Sequence, residues 1–417
     1  MRYNQFLLFV LLNLCAHIGV ITPVFAVENI SLAQATALAL QANPTIAVAM
    51  RGREVESAQA IQAAARPNPI LSGQVADLRS QNRIATIAIS QQLETAGKRD
   101  KRMAAADAAL SMADADIRIT QAEISAKTYA AFYQVLAAQQ AQILATELLQ
   151  IATTSKEATA KRVLAGKVSP VEETKAKVAE AGLKIELASA NQQLATAKQR
   201  LASLWANGLQ PNNHAGYVAV GDLDKLNNIP TLEDLMSQVA DSPRLKKASL
   251  AITQKQALSA IEQSKQTPDV TLSLGAQRNE ELGGITQAII GLSIPIPLFD
   301  KNQGNLQSAK AREYQSIDEK SVLENQLKTD IADAYSRRQL QVEASNMYKN
   351  DILPGAQSAY DAARKGFEFG KFSFLEVLDA QRTLFQAKSQ HLQTLALASL
   401  AEADMQNILG TNFKELP

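Results

Sequence analysis

The chain has 417 residues, with 42 Lys or Arg against 41 Asp or Glu, so no basic excess favours nucleic acid as a partner. One Cys and three His exclude a disulfide framework and a cysteine-based zinc site. Aromatic residues make up only 5% of the chain, and with many Ala, Gln, Leu and Lys this is typical of long helices packed side by side.

The first segment, residues 1–26, has the features of a cleaved export signal. Arg2 gives a basic start, Phe6–Val20 is largely apolar, and Val24-Phe25-Ala26 is a small-x-small cleavage site. The alternative, a transmembrane anchor, is disfavoured because the apolar run is short. Lipidation at Cys15 is not favoured either, since Leu14 precedes it. No later run of about 18 apolar residues predicts a second membrane helix.

The rest of the chain is predicted to be an internal duplication. Pro44 and Pro69 in the first copy are 25 residues apart, as are Pro243 and Pro268 in the second. Each pair brackets a helical stretch that precedes a strand-like one. The predicted division is a first copy at 27–207, a linker at 208–230, a second copy at 231–410 and a tail at 411–417.

Each copy contains two strand-like runs. Val270–Ala276 alternates apolar and small or polar residues, and Ala288–Ile294 follows after Gly283-Gly284, so this pair predicts a hairpin. The first copy has weaker runs at 70–78 and 84–93. Such alternation suits a strand between lipid and water, although a half-buried hairpin of a soluble domain reads the same. Four strands cannot close a barrel, so a membrane barrel needs several chains. Two chains would supply eight strands, and three chains would supply twelve.

Long helices are predicted after each hairpin. Lys98–Leu164 contains neither Pro nor Gly, and at about 1.5 Å per residue it would be roughly 100 Å long. The corresponding helix at 302–368 should be kinked or interrupted at Pro354-Gly355.

The pattern G-K-x-S-x-x-E occurs once per copy, at the end of each of these predicted helices. The glycine suits the position after a helix C-terminus, the serine suits an N-cap, and the glutamate three residues later completes a capping box. Each pattern therefore predicts a tight turn between antiparallel helices, which either caps only or also contacts a partner. The residues are Gly166, Lys167, Ser169 and Glu172 in the first copy and Gly370, Lys371, Ser373 and Glu376 in the second.

Two stretches carry a family resemblance. Leu93–Arg99 follows the first hairpin and Ile294–Asn305 follows the second. With them, about 30–410 resembles the outer membrane efflux protein family, the TolC-like channels, and within it the CzcC-type heavy-metal efflux branch. The implied fold is mainly α with a small β part. It is a homotrimer whose chains each give four strands to a twelve-stranded outer-membrane β-barrel that continues into a long periplasmic α-helical barrel.

The resemblance also implies function and partners. The protein would be the exit duct of a tripartite pump, working with a periplasmic membrane-fusion adaptor and an inner-membrane RND transporter, and seated in outer-membrane lipid. The branch exports metal ions, and no cofactor is expected. A drug-efflux or type I secretion channel is the alternative within the family. A periplasmic coiled-coil structural or adaptor protein without a barrel is the alternative outside it.

The resemblance implies an acidic gate at Leu375–Asp379, where the family has Leu-Asp-x-x-Asp. Glu376 and Asp379 are i,i+3 and share a helix face, so threefold symmetry would place six carboxylates around one constriction. The alternative is that Glu376 only caps and Asp379 is solvated. A basic gate residue of some relatives falls at Phe372 here, and the first copy has Glu172 and Lys175 at the matching positions.

Catalysis is not expected. His214 and His391 have no ligand-spaced neighbours, so surface or core roles are favoured over metal binding. Gly283-Gly284 lacks the G-K-[ST] of a phosphate loop. With two His left after signal cleavage, no Ser-His-Asp or Cys-His arrangement can be proposed, and the sequence predicts no enzyme.

Overall fold

The computed structural model describes residues 28–77, 79–205 and 217–411. The predicted signal peptide lies outside these residues, as do most of the tail and part of the linker. The strands are β1 Glu28–Ile30, β2 Ile70–Ala76, β3 Ile84–Leu93, β4 Tyr217–Ala219, β5 Val270–Asn279 and β6 Ile285–Ser293. The helices are α1 Leu32–Ala42, α2 Pro44–Ala63, α3 Lys98–Leu164, α4 Pro170–Ala202, α5 Leu232–Gln238, α6 Pro243–Ser264, α7 Gln303–Met347, α8 Leu353–Glu368 and α9 Phe374–Leu409.

The four predicted strands form one antiparallel sheet in the order β2-β3-β5-β6. The predictions at 70–78 and 84–93 are confirmed closely, whereas β6 begins three residues before its predicted start. Gly283 and Gly284 lie in the turn between β5 and β6 with φ of +78° and +79°, a conformation that glycine adopts without steric cost. The sheet joins the two halves of the chain through the β3–β5 pair.

The two faces of the sheet differ in polarity. One cross-strand row on the first face is apolar and at least half exposed in the single chain: Leu71, Ile89, Leu274 and Ile290. A row on the opposite face is polar: Gln74, Thr86, Gln277 and Gln287. The period-2 alternation therefore separates an apolar surface from a polar one. Among the residues that the structure describes, the outer strands β2 and β6 have no further strand paired to them, so both edges of this sheet are open.

The long helices α3 and α7 are each preceded by a residue in the left-handed backbone conformation. Gly97 before α3 has φ of +64°, and Asn302 before α7 has φ of +58°. The first junction is fixed by an ion pair of Lys98 Nζ with Asp269 Oδ1 at 2.5 Å. At the second, Asn302 Nδ2 donates to the Glu262 carbonyl at 2.8 Å. The two stretches that carry the family resemblance thus turn the chain from sheet into helix.

The helical predictions are confirmed at these positions. Helix α3 has the 67 residues expected from the run without Pro or Gly. The second helix is interrupted by a π-helical turn at Tyr348–Ile352, which ends two residues before Pro354, a residue with no N–H to continue the ladder. In the part of the chain that the structure describes, no helix has both the length and the apolar character needed to cross a membrane.

The main core lies where α3, α4 and α9 meet the small two-stranded sheet. Phe132 and Leu136 of α3 pack in one cluster with Leu201 of α4 and Leu395 of α9. Strand β4 lies inside the predicted linker and pairs in parallel with β1. The start of the described chain is therefore tied to the segment between the two halves.

Candidate functional site at the helical tips

The first tip is the turn between α3 and α4. Gly166 has φ of +65°, its N–H donates to the Val163 carbonyl at 2.9 Å, and Lys167 N–H donates to the Arg162 carbonyl at 2.9 Å. These bonds satisfy carbonyls at the end of α3 that would otherwise lack partners. Ser169 then caps α4 by accepting from Val171 N–H at 3.3 Å. The predicted left-handed glycine and serine cap are confirmed.

The predicted capping box at Glu172 is wrong. Its Oε1 forms an ion pair with Lys175 Nζ at 3.2 Å, one helical turn farther along α4, instead of reaching back to the N-cap. Ser169 caps the second helical residue, not the third. A cationic side chain at i+3 is the competing partner that the S-x-x-E pattern does not reveal.

The second tip, between α8 and α9, forms the full motif. Gly370 has φ of +72°, and its N–H donates to the Phe367 carbonyl at 3.0 Å. Glu376 Oε2 accepts from Ser373 N–H at 2.6 Å, while Glu376 N–H donates to Ser373 Oγ at 3.4 Å. This capping box is confirmed. Phe372 folds over Gly366, where an added Cβ would lie 2.2 Å from the ring.

Arg162 joins the two tips, and sequence reasoning missed it. Its guanidinium lies over the Phe367 ring, 4.2 Å from the centroid. The same group donates to the carbonyls of Phe367 at 2.8 Å and Glu368 at 3.0 Å. A cation at a helix C-terminus satisfies free carbonyls and complements the helix dipole. The signal available in the sequence was a basic residue in the last turn before Gly166.

A cleft of 590 Å³ lies between the tips. Its lining includes Lys167 and Glu172 from the first turn and Phe369 and Phe372 from the second. Phe369 is 77% exposed in the single chain. The tips thus combine exposed aromatic surface with charged side chains.

Glu376 and Asp379 both lie exposed on the first turns of α9. The structure confirms their shared helical segment and shows that one oxygen of Glu376 is engaged in capping. Their role in a constriction between chains stays a prediction.

A buried charge cluster lies farther along the bundle and was also missed. Glu402 is fully buried, and its Oε1 accepts from Tyr129 Oη at 2.8 Å and from Asn227 Nδ2 at 2.6 Å. Its Oε2 lies 3.5 Å from Arg338 Nε. Burial, with the nearby carboxylate as a smaller contribution, raises the pKa of Tyr129 and keeps it a hydrogen-bond donor.

His391 is buried in the interior of the helical bundle, one of the roles that the sequence favoured over metal binding. Its Nε2 lies 3.1 Å from Ser345 Oγ, and burial lowers the pKa of its ring. Within residues 28–77, 79–205 and 217–411, no group of three or more His, Cys, Asp or Glu is arranged to hold a metal ion.

Comparison with known proteins identifies the family. A family model described as "Outer membrane efflux protein" matches residues 35–207 and 237–411. The chain belongs to the outer membrane efflux protein family. It is 37% identical over 391 residues to the "Cobalt-zinc-cadmium resistance protein CzcC" of Cupriavidus metallidurans, which covers 93% of this chain and 92% of that protein.

Solved structures show the same fold. A crystal structure of CusC, described as forming a transmembrane channel, matches with a TM-score of 0.75 at 20% identity, covering 91% of this chain and 92% of that one. The outer membrane protein VceC of Vibrio cholerae matches with a TM-score of 0.76 at 21% identity, covering 92% and 96%. The predicted TolC-like fold is confirmed.

Family and fold together make the protein an outer-membrane efflux channel with a large periplasmic helical part. The apolar face of the sheet is therefore the surface available to lipid, and the long helices extend from it into the periplasm. The alternative of a periplasmic coiled-coil protein without a barrel is excluded.

Proposed function

We propose that this channel is the exit duct through which a tripartite pump exports heavy-metal cations across the outer membrane. The observation that carries the proposal is the similarity, over nearly the full length of both chains, to a protein named for cobalt, zinc and cadmium resistance. The duct acts passively, and the energy comes from an inner-membrane RND transporter joined to it by a periplasmic adaptor.

A homotrimer is the proposed working form. The open edges of β2 and β6 support this, because unpaired strand edges are not tolerated in lipid. Three four-stranded sheets close into a twelve-stranded barrel. Protein extracted from membranes in detergent should have three times the protomer mass once detergent is subtracted. A monomer that needs no detergent would contradict this assembly.

The adaptor is proposed to dock at the tips. Gly166, Lys167, Ser169 and Glu172 form one turn, and the second turn lies across the 590 Å³ cleft. Arg162 fixes the spacing of the two turns, because it is bonded to carbonyls at the end of α8. A docking surface whose parts are held at a fixed spacing loses less entropy on binding than two independent turns.

The acidic pair is proposed to line the periplasmic gate. Glu376 and Asp379 are exposed on one helical segment beside the second tip, so symmetry copies would place six carboxylates around the axis. A ring of carboxylates raises the local concentration of cations and repels anions. Phe372 occupies the position at which some family members carry a basic gate residue, so this gate would close without that positive charge.

Substrate class is tested by growth. A strain lacking the channel should lose resistance to cobalt, zinc and cadmium salts and regain it with a plasmid copy. The same strain is challenged in parallel with cationic dyes and detergents. Lost resistance to those compounds with unchanged metal resistance would contradict the metal proposal and favour the drug-efflux alternative.

A further inference from the structure

An exposed apolar segment continues the sheet beyond its last paired residue. Strand β6 ends at Ser293, and the chain goes on as Ile294–Phe299, with the sequence Ile-Pro-Ile-Pro-Leu-Phe. Ile296 is 77% exposed and Phe299 is 93% exposed. The described part of the chain therefore leaves this apolar segment uncovered.

The segment keeps the alternation of the strand before it. Ile290 and Leu292 belong to the apolar face of β6, and Ile294 and Ile296 follow at the same two-residue period before the chain bends at Leu298 and Phe299. The surface that faces lipid in an outer-membrane channel is thus extended toward the periplasm. These side chains continue the face of the sheet and not its edge. A neighbouring copy that paired with the edge of β6 would meet backbone groups and not these side chains.

Strand length places this extension at the membrane boundary. A strand that crosses the hydrocarbon core needs about 9–11 residues. Strands β5 and β6 have ten and nine residues and so already cross it. Because the chain from β6 leads into α7, the six further residues lie at the periplasmic side, where acyl chains give way to headgroups.

The chemistry of the segment suits that depth. Pro295 and Pro297 have no N–H, and Leu298 N–H donates to the Ile296 carbonyl at 3.0 Å, so three of its six residues present no free amide donor to lipid. Asp300 and Lys301 follow at once, which marks the change to water. The four sheet strands contain no aromatic residue, so Phe299 supplies the aromatic ring at this edge.

We propose that Ile294–Phe299 is a lipid-interface anchor, which lies at the boundary of acyl chains and headgroups in the inner leaflet of the outer membrane and fixes the depth of the channel. Its partner is the lipid surface and not a second copy of the chain. The inference rests on the insertion of the four-stranded sheet in the outer membrane, and the experiment tests that insertion separately.

The test is fluorescence quenching by brominated lipids in reconstituted vesicles. Trp205 is the single Trp of the chain, so a Trp205→Phe background is dark. Phe299→Trp in that background should lose more fluorescence to lipid brominated near the carbonyl end of its acyl chains than near the methyl end. Ile290→Trp is the matched control within the sheet and should show the opposite order.

Three results are informative. The expected depth order for Phe299→Trp, with quenched Ile290→Trp, supports the anchor. An unquenched Phe299→Trp beside a quenched Ile290→Trp overturns it, because water or another chain then covers the segment. If neither variant is quenched, the sheet does not lie in the lipid bilayer, and the proposed anchor is then wrong as well. Leu298→Trp gives a second reading at the same depth if the Phe299 variant does not assemble.

Discussion

The buried charge cluster makes the strongest quantitative prediction for stability. Glu402 is fully buried and the Arg338 side chain is 9% exposed, so both charges are shielded from water and lie 3.5 Å apart, between Glu402 Oε2 and Arg338 Nε. Glu402→Leu would leave the Arg338 guanidinium without its counter-charge and remove the acceptor of Tyr129 and Asn227. Removing one member of a buried pair costs about 3–5 kcal/mol. That is a large part of the stability of a typical domain.

The matched variants separate charge from packing. Arg338→Met alone should cost a similar amount, because the buried Glu402 then lacks its cationic partner. The double variant should cost several kcal/mol less than the sum, since both buried charges are gone. Arg337→Met is the control, because the neighbouring Arg337–Asp404 pair is exposed and such pairs contribute at most about 1 kcal/mol.

The assay is urea unfolding of the channel folded in lipid vesicles, followed by tryptophan fluorescence, with all four variants compared at one lipid composition. A Glu402→Leu protein within about 1 kcal/mol of the wild type would refute the reasoning. So would a double variant whose loss equals the sum of the single losses, because the two charges would then not interact.

Three further predictions concern the gate, the tips and pH. Glu376→Gln with Asp379→Asn should shift a cation-selective channel toward no selectivity in planar bilayers under a KCl gradient, and an unchanged reversal potential would remove these residues from the constriction. Gly166→Val with Gly370→Val forces valine into a left-handed conformation at about 1–2 kcal/mol per site, so trimers should persist while adaptor cross-linking falls; unchanged cross-linking would mean that the turns only cap. Burial lowers the pKa of His391 below 6.5, so the unfolded chain takes up the proton first and stability falls as pH drops below that value. The His391→Gln variant should therefore lose less thermal stability than the wild type between about pH 7.5 and 5.5. Identical curves of thermal stability against pH for the two proteins would contradict this.

Local patterns predicted much of this fold from the sequence. Helix α3 could be bounded to within one residue because Gly97 and Gly166 flank a run with no Pro or Gly. The sheet could be predicted because its two faces meet different solvents, which enforces a strict period of two. Gly370 and Ser373 act through contacts within a few residues, so their pattern was sufficient.

What the sequence did not reveal depends on contacts between distant residues. Tyr129 and Glu402 are 273 positions apart, and only the packing of α3 against α9 brings them together. One sign was present, since Glu402 falls on the face of α9 that otherwise carries Leu395, Ala398 and Met405. The pairing of β1 with β4 involves only three residues in each strand, too few to show a period.

The central claim is that heavy-metal cations leave the cell through this channel, and metal release tests it most directly. Cells loaded with cobalt, zinc or cadmium are moved to metal-free medium, and the metal remaining in periplasm and cytoplasm is measured over time by mass spectrometry. Cells lacking the channel should retain metal that wild-type and complemented cells release. Release at the wild-type rate without the channel would contradict the account.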